Sequence, residues 1–417
     1  MRNHLRPSLP LLSVVFLVAL SLVAGWQIVE VGGLALSPDD YNLAGWEMYH
    51  LPDKLLFEIG RLVKGDSSPQ DKDARIERYL ALQSRVAELE GELNRQSATS
   101  TQTDALEQQL QEARSQRDQQ KIAVEGILEE RISAVASEQG LETALPLFSR
   151  VHWLFPPVDF EFADPPYVLV ISPRDRIVEE KATLLRSDLT VKEAERLEQD
   201  AEAKSDIVSA LVVPTGGIGA YPAIIEPSDN YLDVLYVASH EWLHDYLFFH
   251  PLGARYFEND TLRTINETVA DIAGQEIGDL VAQRYPLPSP TPAPSPTPGP
   301  SPTPAVDADA VLRQLRLDVD QLLSEGKISE AEALMEQQRQ YLAANGYFIR
   351  KINQAYFAFY GLYGTSGASS SPIGPKLEEL RKRSPTLGDF VRAVSTITNE
   401  GDLDRLLAAA ENGATQP

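Results

Sequence analysis

The chain contains no cysteine, which excludes thiol nucleophiles and every cysteine-ligated metal site. Any metal must therefore be held by nitrogen and oxygen. Histidine is scarce, at six in 417 residues. Basic charge is in deficit: 37 Lys and Arg stand against 61 Asp and Glu, a net charge of −24. Nucleic-acid binding is excluded on this ground, because phosphate contacts demand clustered cations and no long basic patch exists here. Long hydrophobic runs are also few. The clearest is Leu11 to Gly25, the apolar centre of an uncharged stretch from Pro7 to Val29 that follows Arg2, His4 and Arg6. At 43% apolar residues the chain can nevertheless bury a substantial core.

Against this background one short run stands out. His240, Glu241, Trp242, Leu243 and His244 spell H-E-x-x-H within an apolar segment of helical spacing. On a helix, residues i and i+4 share a face, so both imidazoles can reach one metal ion while Glu241 sits over a water bound to it. Downstream, Asn266, Glu267 and Asp271 lie in a second segment that reads as a helix. A catalytic zinc takes three protein ligands and leaves one position open, and a carboxylate is a common third ligand beside two histidines. Glu267 supplies that carboxylate. Asp271 lies one turn further along, placed to accept the other ring N–H of a liganding histidine, with Asn266 beside the ligand.

These residues resemble the gluzincins, the thermolysin-like and aminopeptidase-like zinc metallopeptidases, in which a glutamate on a second helix, in an N-E-x-x-x-D or similar pattern, is the third ligand. The resemblance spans about residues 150 to 400. It implies Zn2+ held by His240, His244 and Glu267, with Glu241 as general base and Asp271 as the outer partner of a ligand. It also implies an oxyanion stabiliser, a Tyr or His. Tyr356 and Tyr360 are the candidates, on a segment from Gly346 to Tyr360 that carries Arg350 and Asn353 as possible cleft residues, while the default reading of such an aromatic stripe is core. His250 is an alternative, although it also reads as an ordinary helix-end histidine. More distantly, the C-terminal half is similar to a family of bacterial aminopeptidases, with Asp389, Phe390 and Val391 at a comparable late position.

The organisation follows from composition shifts. Residues 1–29 read as a signal anchor, a cleaved signal peptide being the alternative; the acidic residues beyond the span place the body outside the cytoplasm. This predicts a single-pass protein of the cell membrane. Residues 30–70 read as a juxtamembrane helical segment. Residues 71–140 carry heptad-like apolar spacing that fits a hairpin of two helices or a continuous dimeric coil, which would make the protein a homo-oligomer. Residues 141–285 are expected to form the catalytic core, with short strands punctuated by Pro156-Pro157 and Pro165-Pro166. The helix from about Asp229 to Phe249 carries the motif, and the next runs from Asp260 or Thr261 to about Tyr285. Before the first of them, Gly217, Gly219 and Ala220 sit in a glycine-rich strand that can offer free backbone groups to an extended substrate. Residues 286–304 are a proline-rich linker or insertion and 305–410 a helical C-terminal part. The expected fold class is thus an α+β zincin-like catalytic domain, mostly helical in its C-terminal half, preceded by a membrane anchor and a helical coiled-coil hairpin.

The function expected from these residues is zinc-dependent hydrolysis of a peptide or protein substrate. A zinc-containing but silent scaffold or binding protein, and a hydrolase of another amide, are the competing readings. Glu241 weighs against the scaffold, because a structural zinc is normally closed by four ligands and has no use for a base beside it.

Overall fold

The computed structural model describes residues 37–43, 45–46, 68–95, 100–145, 148–287 and 306–411. Two long helices open its continuous part, α1 (Pro69–Arg95) and α2 (Ser100–Glu138). They run antiparallel, as their contacts show: Lys72 meets Glu130, whereas Arg114 meets Glu90 further along. At the far end Val86 and Leu89 bury against Leu106, Leu110 and Ala113. At the near end Ile76, Tyr79, Val124 and Leu128 join the main core.

The strands are short. β1 (Glu142–Leu145) and β2 (Phe148–Leu154) pair antiparallel. β3 (Phe160–Phe162) lies parallel to β8 (Ala223–Ile225), and β8 pairs antiparallel with β7 (Gly217–Ile218), so β7 is an edge strand. A second three-stranded sheet has β4 (Tyr167–Pro173) between β5 (Lys181–Leu185) and β6 (Val208–Pro214), all antiparallel. Alternation along these strands gives the sheet two apolar faces. One, with Leu185 and Val212, meets Leu189 and Ala194 at α3 (Val191–Lys204). The other, with Val168, Val170, Leu211 and Val213, packs on α7 (Ala308–Ser324), α8 (Ile328–Ala344) and α9 (Gln354–Tyr360).

Between the two sheets in sequence order and the C-terminal helices stand α4 (Tyr231–Phe248), the single turn α5 (Pro251–Ala254) and α6 (Asp260–Arg284). Asn230 caps α4 by accepting from Leu232 N, and Asn259 caps α6 by accepting from Leu262 N. Each satisfies an amide that has no partner inside its own helix. Trp242, Leu243, Tyr246 and Leu247 of α4 are fully buried against Leu262, Ile265, Val269 and Ala273 of α6. Burial of one such side chain contributes about 1.5–3 kcal/mol, so this helix pair is the heart of the main core. The chain closes with α10 (Ile373–Arg383) and α11 (Leu387–Ser395), which cover α6, and α12 (Glu400–Glu411), which packs on those two.

Two expectations are corrected. The α+β zincin-like class is replaced by a mostly helical architecture: the described residues form twelve helices and three separate sheets of two or three strands. The strands are two to seven residues long, and diproline pairs, which lack the N–H groups a ladder needs, follow β2 and β3. No described helix is long and apolar enough to cross a membrane, so the single-pass membrane placement finds no support in the described residues. The anchor read over 1–29 lies outside the described residues, as does most of the proline-rich tract. A third difference is local. The segment from Gly346 to Tyr360 is helical only from Gln354, capped by Asn353, because Arg350 and Lys351 are held beside the sheet by Glu198 and Glu202 of α3.

Candidate active site

The site forms where α4 and α6 touch. Glycine makes the contact close: a Cβ on Gly274 would lie 2.9 Å from His240 N, and one on Gly278 would collide with the Tyr236 ring. With only hydrogen at both positions, the backbone of α6 rests against the His240 turn of α4. The side chains of His240, His244 and Glu267 then converge.

Their separations decide what the cluster can hold. His240 Nε2 and His244 Nε2 are 3.0 Å apart. Glu267 Oε2 lies 3.5 Å from the first and 3.4 Å from the second. Ligands about 2.0–2.1 Å from a tetrahedral zinc lie roughly 3.3 Å from one another. The three donors therefore fit around one ion, and they are the group among the described residues that could hold a metal. His244 Nδ1 donates to Asn266 Oδ1 at 2.9 Å, which leaves Nε2 as the ring nitrogen that faces the centre. The Tyr256 hydroxyl donates to Glu267 Oε1, so that oxygen is engaged and Oε2 is the one turned to the histidines. Burial works against charge on Glu267, but His244 and His240 outweigh it and hold the carboxyl well below its ordinary range.

Glu241 differs from every other carboxylate here. It is only 7% exposed yet receives no hydrogen bond among the described residues, and it lines a cavity of about 610 Å³. Burial raises its pKa; His240 and His244 pull the other way and Glu267 adds to the rise. A carboxylate desolvated in this way is more basic than usual, as a proton acceptor beside a metal needs to be. The edge strand lies directly over it. A Cβ on Gly217 would sit 2.5 Å from Glu241 Oε1, and one on Gly219 would be 3.1 Å from His244 Cβ.

The expected residues are thus distributed unequally. Gly217, Gly219, Ala220, Asn266, Asp271 and Tyr360 line the cavity with the three donors and Glu241. Asp271 accepts from Thr365 Oγ1 and from Gln275 Nε2, so the outer-partner role assigned to it falls to Asn266. Three placements are corrected. Arg350 pairs with Glu198 and donates to Val212 O. Asn353 caps α9 and donates to Ala210 O, and Tyr356 is buried in the second core. All three hold α9 to the sheet and stand away from the cavity. His250 packs against Tyr246 with ring centroids 4.7 Å apart, also outside it.

Sequence reasoning missed two tyrosines. Tyr256 lies in the connection between α5 and α6, where no periodicity marks it. Tyr363 continues the Tyr356, Tyr360 spacing by one further step, a signal that was available. Its loop is pinned on both sides: Gly364 N donates to Thr268 Oγ1 at 2.9 Å, and Thr365 Oγ1 donates to Asp271. The Tyr363 ring is 6.2 Å from that of His240. Burial, then Glu267, Glu241 and Asp271, push its phenol well up, so it stays a proton donor, and its hydroxyl has no hydrogen-bond partner among the described residues.

Compared with known proteins, the chain matches no family model, no curated protein and no solved structure.

Proposed function

We propose that the protein is a zinc-dependent metallopeptidase. The observation that carries this reading is the Glu241 carboxylate: buried, without a hydrogen bond among the described residues, and facing the same cavity as the His240, His244 and Glu267 donors. A site meant only to bind or to brace the fold gains nothing from such a group and loses its desolvation cost. Imidazole and carboxylate donors of this number suit zinc.

A zinc ion held by His240, His244 and Glu267 would supply Lewis-acid polarisation of a carbonyl and would lower the pKa of a water toward about 7. The chain's own residues do the rest. Glu241 takes the proton from the attacking water and returns it to the departing amine. Tyr363, with its uncommitted hydroxyl, donates to the oxygen on which negative charge develops. Asn266 and Tyr256 hold His244 and Glu267 in the orientation that presents Nε2 and Oε2. The open edge of β7 supports an extended peptide over Glu241 through backbone hydrogen bonds.

The test is a digest of a peptide library by the zinc-loaded protein compared with Glu241→Gln. The variant is expected to keep the metal and to lose turnover, because an amide fills the same volume but cannot accept the proton. Equal turnover by both proteins would refute the assignment.

A further inference from the structure

The cavity has a wall from an unexpected part of the chain. Asp39 and Tyr41 run along the free edge of β5: Tyr41 N donates to Leu184 O at 3.1 Å and Arg186 N donates to Asp39 O at 2.9 Å. The Asp39 carboxylate is tied down by Arg186 Nε at 3.5 Å and Arg196 Nη2 at 3.1 Å. A turn between Ser37 and Asp40 leads into this contact, and beyond it Trp46 N donates to Asn42 O at 3.1 Å. Tyr41 and Leu43 thereby reach the cavity beside Leu184 and Val168.

Tyr41 does more than extend a sheet. Its backbone belongs to the edge of β5, in the second sheet. Its side chain lines the cavity that Gly217 and Ile218 of β7, in the first sheet, also line; burial, and after it the Glu161 carboxylate of β3, raises its phenol to about 12. The strap formed by residues 37–43 therefore borders a cavity that both sheets line. The second observation is size. About 610 Å³ falls within the roughly 300–1,000 Å³ typical of small-ligand pockets, and is small for a groove that a long polypeptide would thread.

We infer that residues 37–43 wall off one end of the cleft and restrict its substrates to short peptides and chain ends, with Asp39 as the tether that keeps the wall in place. This rests on the metallopeptidase reading above. It concerns how much of a polypeptide enters, not how the bond is broken. Tyr41 and Leu43 set the limit by filling space between the sheets. Arg186 and Arg196 set it indirectly, through Asp39.

The experiment compares cleavage of a short fluorogenic peptide with cleavage of the same sequence embedded in a permanently unfolded protein, using the zinc-loaded full chain. Two variants are read, Tyr41→Gly with Leu43→Ser, and Asp39→Ala, which releases the tether while every residue that lines the cavity keeps its identity. The ratio of kcat/KM on the long substrate to that on the short one should rise about tenfold in the first variant and in the same direction in the second. Short-peptide cleavage with an unchanged ratio in both variants overturns the inference and leaves the metallopeptidase reading in place. Absence of cleavage of either substrate by the unmodified protein overturns both. Should the double variant fail to fold, Asp39→Ala still decides.

Discussion

His244 Nδ1 donates to the side-chain oxygen of Asn266 at 2.9 Å, and this one bond sets which face of the imidazole is free. Asn266 is 1% exposed and sits next to Glu267 on α6, so a single helix provides both the third donor and the group that orients the second. Replacing it with leucine keeps the volume and removes the acceptor. Zinc affinity of Asn266→Leu is expected to fall about 10- to 100-fold, measured by competition with a chromophoric chelator. An unchanged affinity would show that His244 is oriented by packing alone.

The two glycines of α6 separate the needs of the fold from those of the site. A Cβ on Gly274 meets main-chain atoms of His240, whereas one on Gly278 meets the ring of Tyr236, a side chain that can swing away. Gly274→Leu should cost about 1–3 kcal/mol of stability through overpacking and also displace His240, lowering zinc affinity. Gly278→Ala should be milder and leave zinc affinity unaltered. Denaturant melts and metal titrations of the two variants test this; equal effects on the metal would argue against a local role for Gly274.

Much of the site could be read from the sequence because it depends on helix geometry. His240, Glu241 and His244 lie at fixed helical spacing, and Glu267 and Asn266 needed only a second helix beside the first. What brings those helices together is the Gly274, Gly278 pair, a small-residue spacing that carries no chemistry and is easily passed over. The cleft wall was harder. Tyr41 meets Leu184 through main-chain pairing, which leaves no pattern in side-chain type. Arg350 and Asn353 misled for the opposite reason. They are polar residues on an aromatic segment, as cleft residues would be, but Glu198 on α3 and the carbonyls of β6 engage them. The sheets were the least legible, since strands of two to seven residues leave too little alternation to show which will pair.

Acid should loosen α3 before the helices of the main core. Hydrogen bonds from the Thr190 side chain and backbone, with Arg186 beside them, lower the Glu193 carboxyl from its ordinary 4.5 to about 2. A carboxyl depressed in the folded state stabilises it above the unfolded value, and that contribution is lost as pH falls through the folded one. Amide protection at the start of α3 is therefore expected to decline between about pH 4.5 and 2. Glu193→Gln should show no such decline in that window. Hydrogen exchange followed by mass spectrometry reads both proteins, and an identical pH response would exclude Glu193 as the cause.

Of the three tyrosines in and just after α9, the proposed mechanism calls on one as the donor to the developing oxyanion. Tyr356 is in the second core, and its backbone amide is used in the Asn353 cap. Tyr360 is packed against Tyr356, with ring centroids 4.7 Å apart. Tyr363 lines the cavity beside His240, in a loop fixed to α6 through Thr268 and Asp271. Removing one oxyanion donor typically costs about 10²–10³ in kcat. Tyr363→Phe should thus lower kcat by that order, with KM, zinc affinity and melting temperature little changed. Tyr356→Phe should leave kcat within about twofold of the unmodified protein, because its hydroxyl plays no part in the transition state. A normal kcat in Tyr363→Phe together with a large loss in Tyr360→Phe would move the role one turn back along the chain, to the other phenol that borders the cavity.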